Sequence, residues 1–168
     1  MTVHAVFDTP FGVALAAARE GRLAALGFFD DEAGARAALG AGELAPDAAP
    51  FPLLRRQLAE YFAAQRTAFE LPLAPAGSPF QRRVWEALLA IPYGRTRSYG
   101  ELAAAVGRPG AARAVGRANH DNPIGVVIPC HRVIAAGGAL TGYAGGLHRK
   151  RYLLELEGAL PRSLAFAT

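Results

Sequence analysis

Short apolar runs broken by turn residues open the chain. Val3–Phe7 and Val13–Ala18 flank Thr9-Pro10-Phe11-Gly12, and Leu23–Phe29 follows Glu20-Gly21. Runs of this length between tight turns predict a small antiparallel meander. Residues 30–50 are acidic and Ala/Gly-rich, with the pattern of one short helix and a loop. Leu54, Leu58, Tyr61 and Phe62 recur at helical spacing and predict an amphipathic helix over 52–65. Pro72, Pro75 and Gly77 then mark a linker.

After the linker the pattern turns helical. Ser78, Pro79 and Gln81 carry a capping-box start, Phe80, Val84, Leu88 and Ile91 form an apolar stripe with Trp85 beside it, and Pro92 ends the helix. Ser98 and Glu101 form a second capping box on a short helix through Val106, stopped by Gly107. Ala111–His120 reads as a third helix. A short helix, a Gly-containing turn and a second helix outline a helix-turn-helix. Ile124–Ile128 reads as a β-type run entering Pro129-Cys130-His131-Arg132, with Val133-Ile134 continuing extended. Ala135–Gly146 is a Gly-rich loop, and Leu147–Glu157 is a last helix stopped by Gly158. The fold class expected is α+β. A small N-terminal α/β domain with an antiparallel sheet occupies 1–77, and a mostly helical, winged helix-turn-helix-like domain occupies 78–168.

Composition narrows the class. The chain has 168 residues, 52% of them hydrophobic and 19% charged, which is enough to bury a core without staples. Cys130 is the one cysteine, so no intramolecular disulfide and no multi-cysteine metal site is expected. No apolar run spans a bilayer and no secretory signal opens the chain, so a cytoplasmic protein without membrane contact is expected. Charge is uneven. Residues 1–78 hold 6 Arg against 9 acidic residues (−3), and residues 79–168 hold 12 basic against 5 acidic residues (+7). A basic second half favours a polyanionic partner, although a basic surface with no partner fits the same numbers.

The third helix carries small residues at Ala111, Ala112, Ala114, Gly116 and Ala118, with Arg113 and Arg117 one turn apart. Such a surface either packs inward or presses the backbone close to a grooved partner. Cys130 likewise has two readings. A lone cysteine is commonly a small buried hydrophobe, but His131 beside it is a base that could take its proton. Glu157 lies in the last turn of its helix, where the dipole disfavours an anion unless a cation or donor meets it. A Cys130–His131–Glu157 relay would supply that donor. Asn122 before Pro123 is most simply a turn residue, and Tyr99 a first-turn aromatic.

Several motifs, in order and spacing, carry a resemblance. They are S-P-F-Q-R-R-V-W from Ser78, S-Y-G-E-L-A from Ser98, A-A-R-A-V-G-R-A-N from Ala111, N-P-I from Asn122, I-P-C-H-R-V from Ile128, G-Y-A-G-G from Gly142 and E-G at Glu157, with L-A-E-Y-F and F-E-L-P-L upstream. The chain resembles the O6-alkylguanine-DNA alkyltransferases. The resemblance implies repair of double-stranded DNA containing O6-alkylguanine by minor-groove binding and base flipping. The alkyl group passes once and irreversibly to Cys130, with no cofactor and no metal, in a protein acting as a monomer. It implies that Cys130 is a nucleophile held ionised, His131 its base through a bridging water, and Glu157 the acid that orients His131. It also implies that Asn122 ties the network together and that Tyr99 contacts the flipped guanine and helps protonate the leaving base. Arg113 would fill the vacated stack. Ala111, Ala112, Ala114, Gly116 and Arg117 would meet DNA, and Val133, Tyr143 and Ala144 would line the base pocket. Ala144 stands where many relatives carry Ser, which bears on substrate range. A binding module that flips lesions without repair, a transcriptional regulator and a cysteine hydrolase each fit less well. The first would lack the cysteine, the second would need polar side chains reaching base edges, and the third leaves Arg113 unexplained.

Overall fold

The computed structural model describes residues 1–161, so the expected tail of the second domain, 162–168, lies outside the described residues. The chain forms two compact units. One is Met1–Gly77 together with Pro123–Val127, and the other is Ser78–Asn122 together with Ile128 onward.

The first unit is built on a four-stranded sheet of order β3-β2-β1-β4, with β1 Thr2–Thr9, β2 Gly12–Arg19, β3 Arg22–Phe29 and β4 Glu43–Leu44. The first three strands are the antiparallel meander that the turn spacing predicts. Glu20 and Gly21 both take positive φ (50° and 73°), the backbone a two-residue hairpin needs to follow strand twist. Between β1 and β4 the pairing is parallel and only two residues long. Helix α1 (Glu32–Leu39) is capped by Asp31. Along α2 (Phe51–Phe62), Phe51, Leu54, Leu58, Tyr61 and Phe62 are buried, and Ala5, Ala14, Ala16 and Ala18 are buried on the strands. Part of the expected linker is pinned rather than loose. Leu23 exchanges backbone hydrogen bonds with Pro72 and Ala74 (both 2.8 Å), and the buried Gln57 side chain holds the Glu70 backbone at both ends.

Ile124–Ile128 is not a strand. Only Ile124 makes a bridge, to Leu26, and the following residues turn. Val126 sits at φ 68°, and Val127 and Cys130 each bond to the carbonyl two residues back. Ile124, Val126, Val127 and Ile128 are all buried. A run of aliphatic residues signals burial, and here burial is met by a compact turn between two prolines that offer no donors. The stretch 123–127, expected in the second domain, belongs to the first unit.

The second unit contains α3 Pro79–Leu89, α4 Tyr99–Ala105, α5 Ala112–His120 and α6 Leu147–Leu156. Both capping boxes form, Ser78 with Gln81 and Ser98 with Glu101. Val84, Trp85 and Leu88 are buried, but Phe80 at the start of the stripe is only partly covered and lies under the guanidinium groups of Arg83 and Arg108. A one-turn 3-10 helix, Cys130–Arg132, leads into β6 Val133–Ile134, which pairs in parallel with β5 Arg97–Ser98. Val115, Ala118 and Asn119 are the buried face of α5. Ala118 carries a carbonyl in the last turn of that helix, where no backbone N–H follows to meet it. Trp85 Nε1 donates to it at 2.9 Å. Trp85→Phe removes that donor and also leaves part of the buried indole's space unfilled. Denaturant unfolding should show a loss of about 1–3 kcal/mol; a change near zero would show that the indole N–H contributes nothing as a cap.

Candidate active site

Two short elements deliver the candidate site's central side chains. The 3-10 turn places Cys130, His131 and Arg132 in sequence, and the C-terminal end of α6 supplies Glu157 as its cap residue. Pro129 has no N–H to extend a helix backwards, and Val133 returns to extended backbone, so the turn is short by construction. Asn122 follows α5, and its Nδ2 donates to Ile128 O at 2.8 Å, holding the chain just before the cysteine.

Glu157 is the electrostatic centre. Its Oε2 accepts from His131 Nε2 at 2.7 Å, and Arg132 reaches both oxygens, Nε to Oε1 at 2.8 Å and Nη2 to Oε2 at 3.0 Å. The Gly94 N–H lies 3.4 Å from Oε1. Arg132 is anchored further by a 2.7 Å bond to Ile91 O and sits over the Tyr93 ring. All three charged or titratable side chains are buried. Burial opposes ionisation of Glu157, yet hydrogen bonds from His131 and Arg132 and their charge bring it down from 4.5 to about 2. An ionised carboxylate only accepts, so Nε2 of His131 carries the hydrogen. The other ring nitrogen, Nδ1, is buried with no hydrogen-bond partner among the described residues. Burial is the largest influence on His131 and lowers its pKa, so the imidazole is neutral.

Cys130 is 8% exposed. Burial pushes its thiol up, while Asn122's side-chain hydrogen bond and the charge of Lys150 act the other way. The expectation of a sulfur held ionised is therefore corrected. At rest the group is a thiol, because a desolvated thiolate costs more than these two neighbours return. Lys150 is fully buried, with its ammonium on the carbonyls of Val133 and Thr141 (2.7 Å to the latter). Desolvation lowers it from 10.5 to about 8. Tyr99 OH donates to the same Thr141 carbonyl at 3.2 Å, so Lys150 joins the Val133 wall to the segment below Tyr99. Burial raises Tyr143 well above the usual phenol range, and a thiolate at Cys130 would raise it further.

Cys130, His131, Glu157, Asn122, Val133 and Tyr143 are thus gathered around one centre, and Tyr99 joins it through Thr141. Arg113, Ala112, Ala114 and Arg117 stand on the exposed face of α5, with Ala111 and Gly116 half-covered. Gly116 lies against the Tyr99 ring, and Arg117 faces Asp121 at 3.7 Å. Ala144 is exposed in the loop before α6. Among the described residues no group of His, Cys, Asp and Glu is placed to hold a metal, and no helix is long and apolar enough to cross a membrane. The sequence motifs assign no role to Arg132, Lys150 or Asn119. Asn119 is buried, with Nδ2 3.4 Å from Cys130 O. Lys150 had one signal available: it is the only lysine among 18 basic residues.

The network has a pH signature. Glu157 ionises more readily folded than unfolded, so its contribution is present above pH 4.5 and is lost as pH falls towards 2. A shift of that size corresponds to about 3 kcal/mol. His131, held neutral, acts in the same direction below its ordinary value of 6.5, because the unfolded chain binds the proton that the folded one refuses. Unfolding free energy measured in urea should therefore fall continuously with acidification. Glu157→Gln should be less stable at neutral pH and should lose the part of the slope below pH 4.5; an unchanged slope there would remove Glu157 as its source.

Comparison with known proteins places this geometry. Residues 2–75 match the ribonuclease-like domain of 6-O-methylguanine DNA methyltransferase, and residues 79–159 match its DNA binding domain. A methylated-DNA–protein-cysteine methyltransferase from Mycobacterium tuberculosis is 60% identical over 112 residues, 67% of this chain and 68% of that protein. One from Salmonella typhimurium is 58% identical over 108 residues, 64% of this chain and 63% of that one. The crystal structure of M. tuberculosis OGT in complex with DNA superposes with a TM-score of 0.84 at 46% identity, covering 94% of this chain and 93% of that one. With similarity running through both units and the sole cysteine inside the matched DNA-binding region, the chain belongs to the 6-O-methylguanine DNA methyltransferase family.

Proposed function

We propose that this protein repairs DNA by taking the methyl group from O6-methylguanine onto its own Cys130. The observation that carries the reading is the buried dyad beside that cysteine, with His131 neutral, bonded to an ionised Glu157 through Nε2 and carrying a lone pair on Nδ1. Such a dyad supplies the one thing a buried thiol lacks, an acceptor for its proton. The proton leaves Sγ for Nδ1, directly or across a water. The thiolate attacks the alkyl carbon, the S–C bond forms as the C–O bond breaks, and the electron pair leaves on guanine O6. Tyr99, at the Thr141 carbonyl, is the phenol that returns a proton to the leaving base. Lys150 favours the thiolate as it forms. The product is a thioether, which no base in the site can reverse, so each molecule reacts once.

DNA is the partner of the second unit. Residues 79–168 carry the whole basic excess, and phosphate contacts of this kind give affinity without reading sequence. The α4–α5 pair is the helix-turn-helix that approaches the minor groove. Exposed Ala112 and Ala114 allow the close approach, and Arg113 enters the stack when the damaged base swings out, offsetting part of an unstacking cost of a few kcal/mol. The flipped purine then meets Tyr143, Ala144 and the remaining lone pair of the Val133 carbonyl.

Two outcomes are expected. One equivalent of duplex DNA bearing O6-methylguanine should add one methyl to Cys130, seen by intact-mass and peptide mass spectrometry, and Cys130→Ser should add none; an unmodified Cys130 would refute the transfer. Arg113→Ala should slow repair in duplex DNA far more than reaction with free O6-benzylguanine, which needs no extrusion. Equal slowing would count against a flipping role.

A further inference from the structure

One carboxylate in the second unit faces two side chains that could each serve as its cation. Glu157 is bonded by Arg132 through two parallel N–H donors and by His131 through one. A guanidinium cannot give up its charge and its fork matches a carboxylate. An imidazole can remain neutral. Buried together with Lys150, the group already holds one cation more than anions when His131 is neutral. Protonating His131 would add a second uncompensated charge in a desolvated place, and burying unpaired charge is costly.

We propose that Arg132 is a positioning residue for alkyl transfer: by satisfying Glu157 as its permanent counter-ion, it leaves His131 as a neutral Nε2–H donor whose Nδ1 lone pair is available to the Cys130 proton. This deepens the transfer reading above and rests on it for its link to catalysis. Glu157 alone would draw a proton onto the imidazole and hold it there, so the base would be occupied before the thiol arrived. Arg132 also blocks the alternative in which Glu157 becomes a neutral acid, because a proton on either oxygen would meet a guanidinium N–H. The other titratable groups facing this pair are Lys150 from α6, which also disfavours imidazolium, Tyr93 from the turn after α3, which faces Glu157 and Arg132, and Tyr143 from the loop before α6, which feels Glu157. Arg132 is fixed from outside the pair by Ile91 O, so its fork does not have to be recruited.

The test has two arms. In the resting wild-type protein, 15N NMR of the His131 ring should show pyrrole-type Nε2 and pyridine-type Nδ1 from pH 8 down to 6.5, with protonation, if any, only below its ordinary value of 6.5. Protonation at or above pH 6.5, or hydrogen on Nδ1, would overturn the proposal. In the second arm, benzyl transfer from free O6-benzylguanine to Cys130 is followed against pH. Arg132→Met should move the acid midpoint of the rate upward by about 1–3 pH units, and Arg132→Lys should restore most of that shift. A folded Arg132→Met with an unmoved midpoint would overturn the proposal even if its rate were low. Should Arg132→Met fail to fold, the NMR arm decides on the wild-type protein. Failure of wild-type Cys130 to accept a benzyl group would instead remove the transfer reading and leave the His131 result standing on its own.

Discussion

The buried network beside Cys130 is organised around a desolvated carboxylate at the end of a helix. The C-terminus of α6 is a poor place for negative charge, since the last carbonyls already present the negative end of the dipole. Glu157 is tolerated there because donors converge on it from two other parts of the chain: the turn carrying Cys130, and the Gly94 loop. Gly94 takes φ 77°, and a Cβ there would come within 3.0 Å of the Glu157 carbonyl, so the loop can approach only with glycine in that place. Helix end, turn and loop are held to each other by one side chain.

The cost of that arrangement explains the rest of the centre. A desolvated thiol resists ionisation, so the site needs a proton acceptor, a neutral one, and charge nearby that favours a thiolate once it forms. In the proposed transfer His131 answers the first two needs. Lys150 answers the last, and at the same time ties the Val133 and Thr141 carbonyls together. Lysine suits that place because its compact ammonium can converge on two carbonyl oxygens, where a planar guanidinium would need a wider seat.

Much of this could be read from the chain, and unevenly so. The meander, both capping boxes and the helix starts were legible because turn and cap residues act over three or four positions. The Cys130–His131–Glu157 set was legible because its members lie in recurring motifs. Ile124–Ile128 was misread because apolar runs report burial and not conformation, and a β-branched Val126 at positive φ gives no warning in sequence. Arg132 and Lys150 were passed over because charge ordinarily means surface. Only three-dimensional packing shows that these two are enclosed. The faces of α5 were undecided between inward and outward packing; Val115, Ala118 and Asn119 turn in, and Ala112, Ala114 and both arginines turn out.

The stretch Pro123–Val127 gives the chain an unusual connectivity. It lies only a few residues before the nucleophile, yet its hydrogen bonds run to Leu26 on β3. A polypeptide begun at Ser78 would retain the cysteine and the helix pair, but Ile124 and its aliphatic neighbours would lose the strand that receives them. Severing the chain at the obvious proline-rich joint therefore does not liberate a self-sufficient half. The region leading to the reactive sulfur is completed by residues encoded a hundred positions earlier.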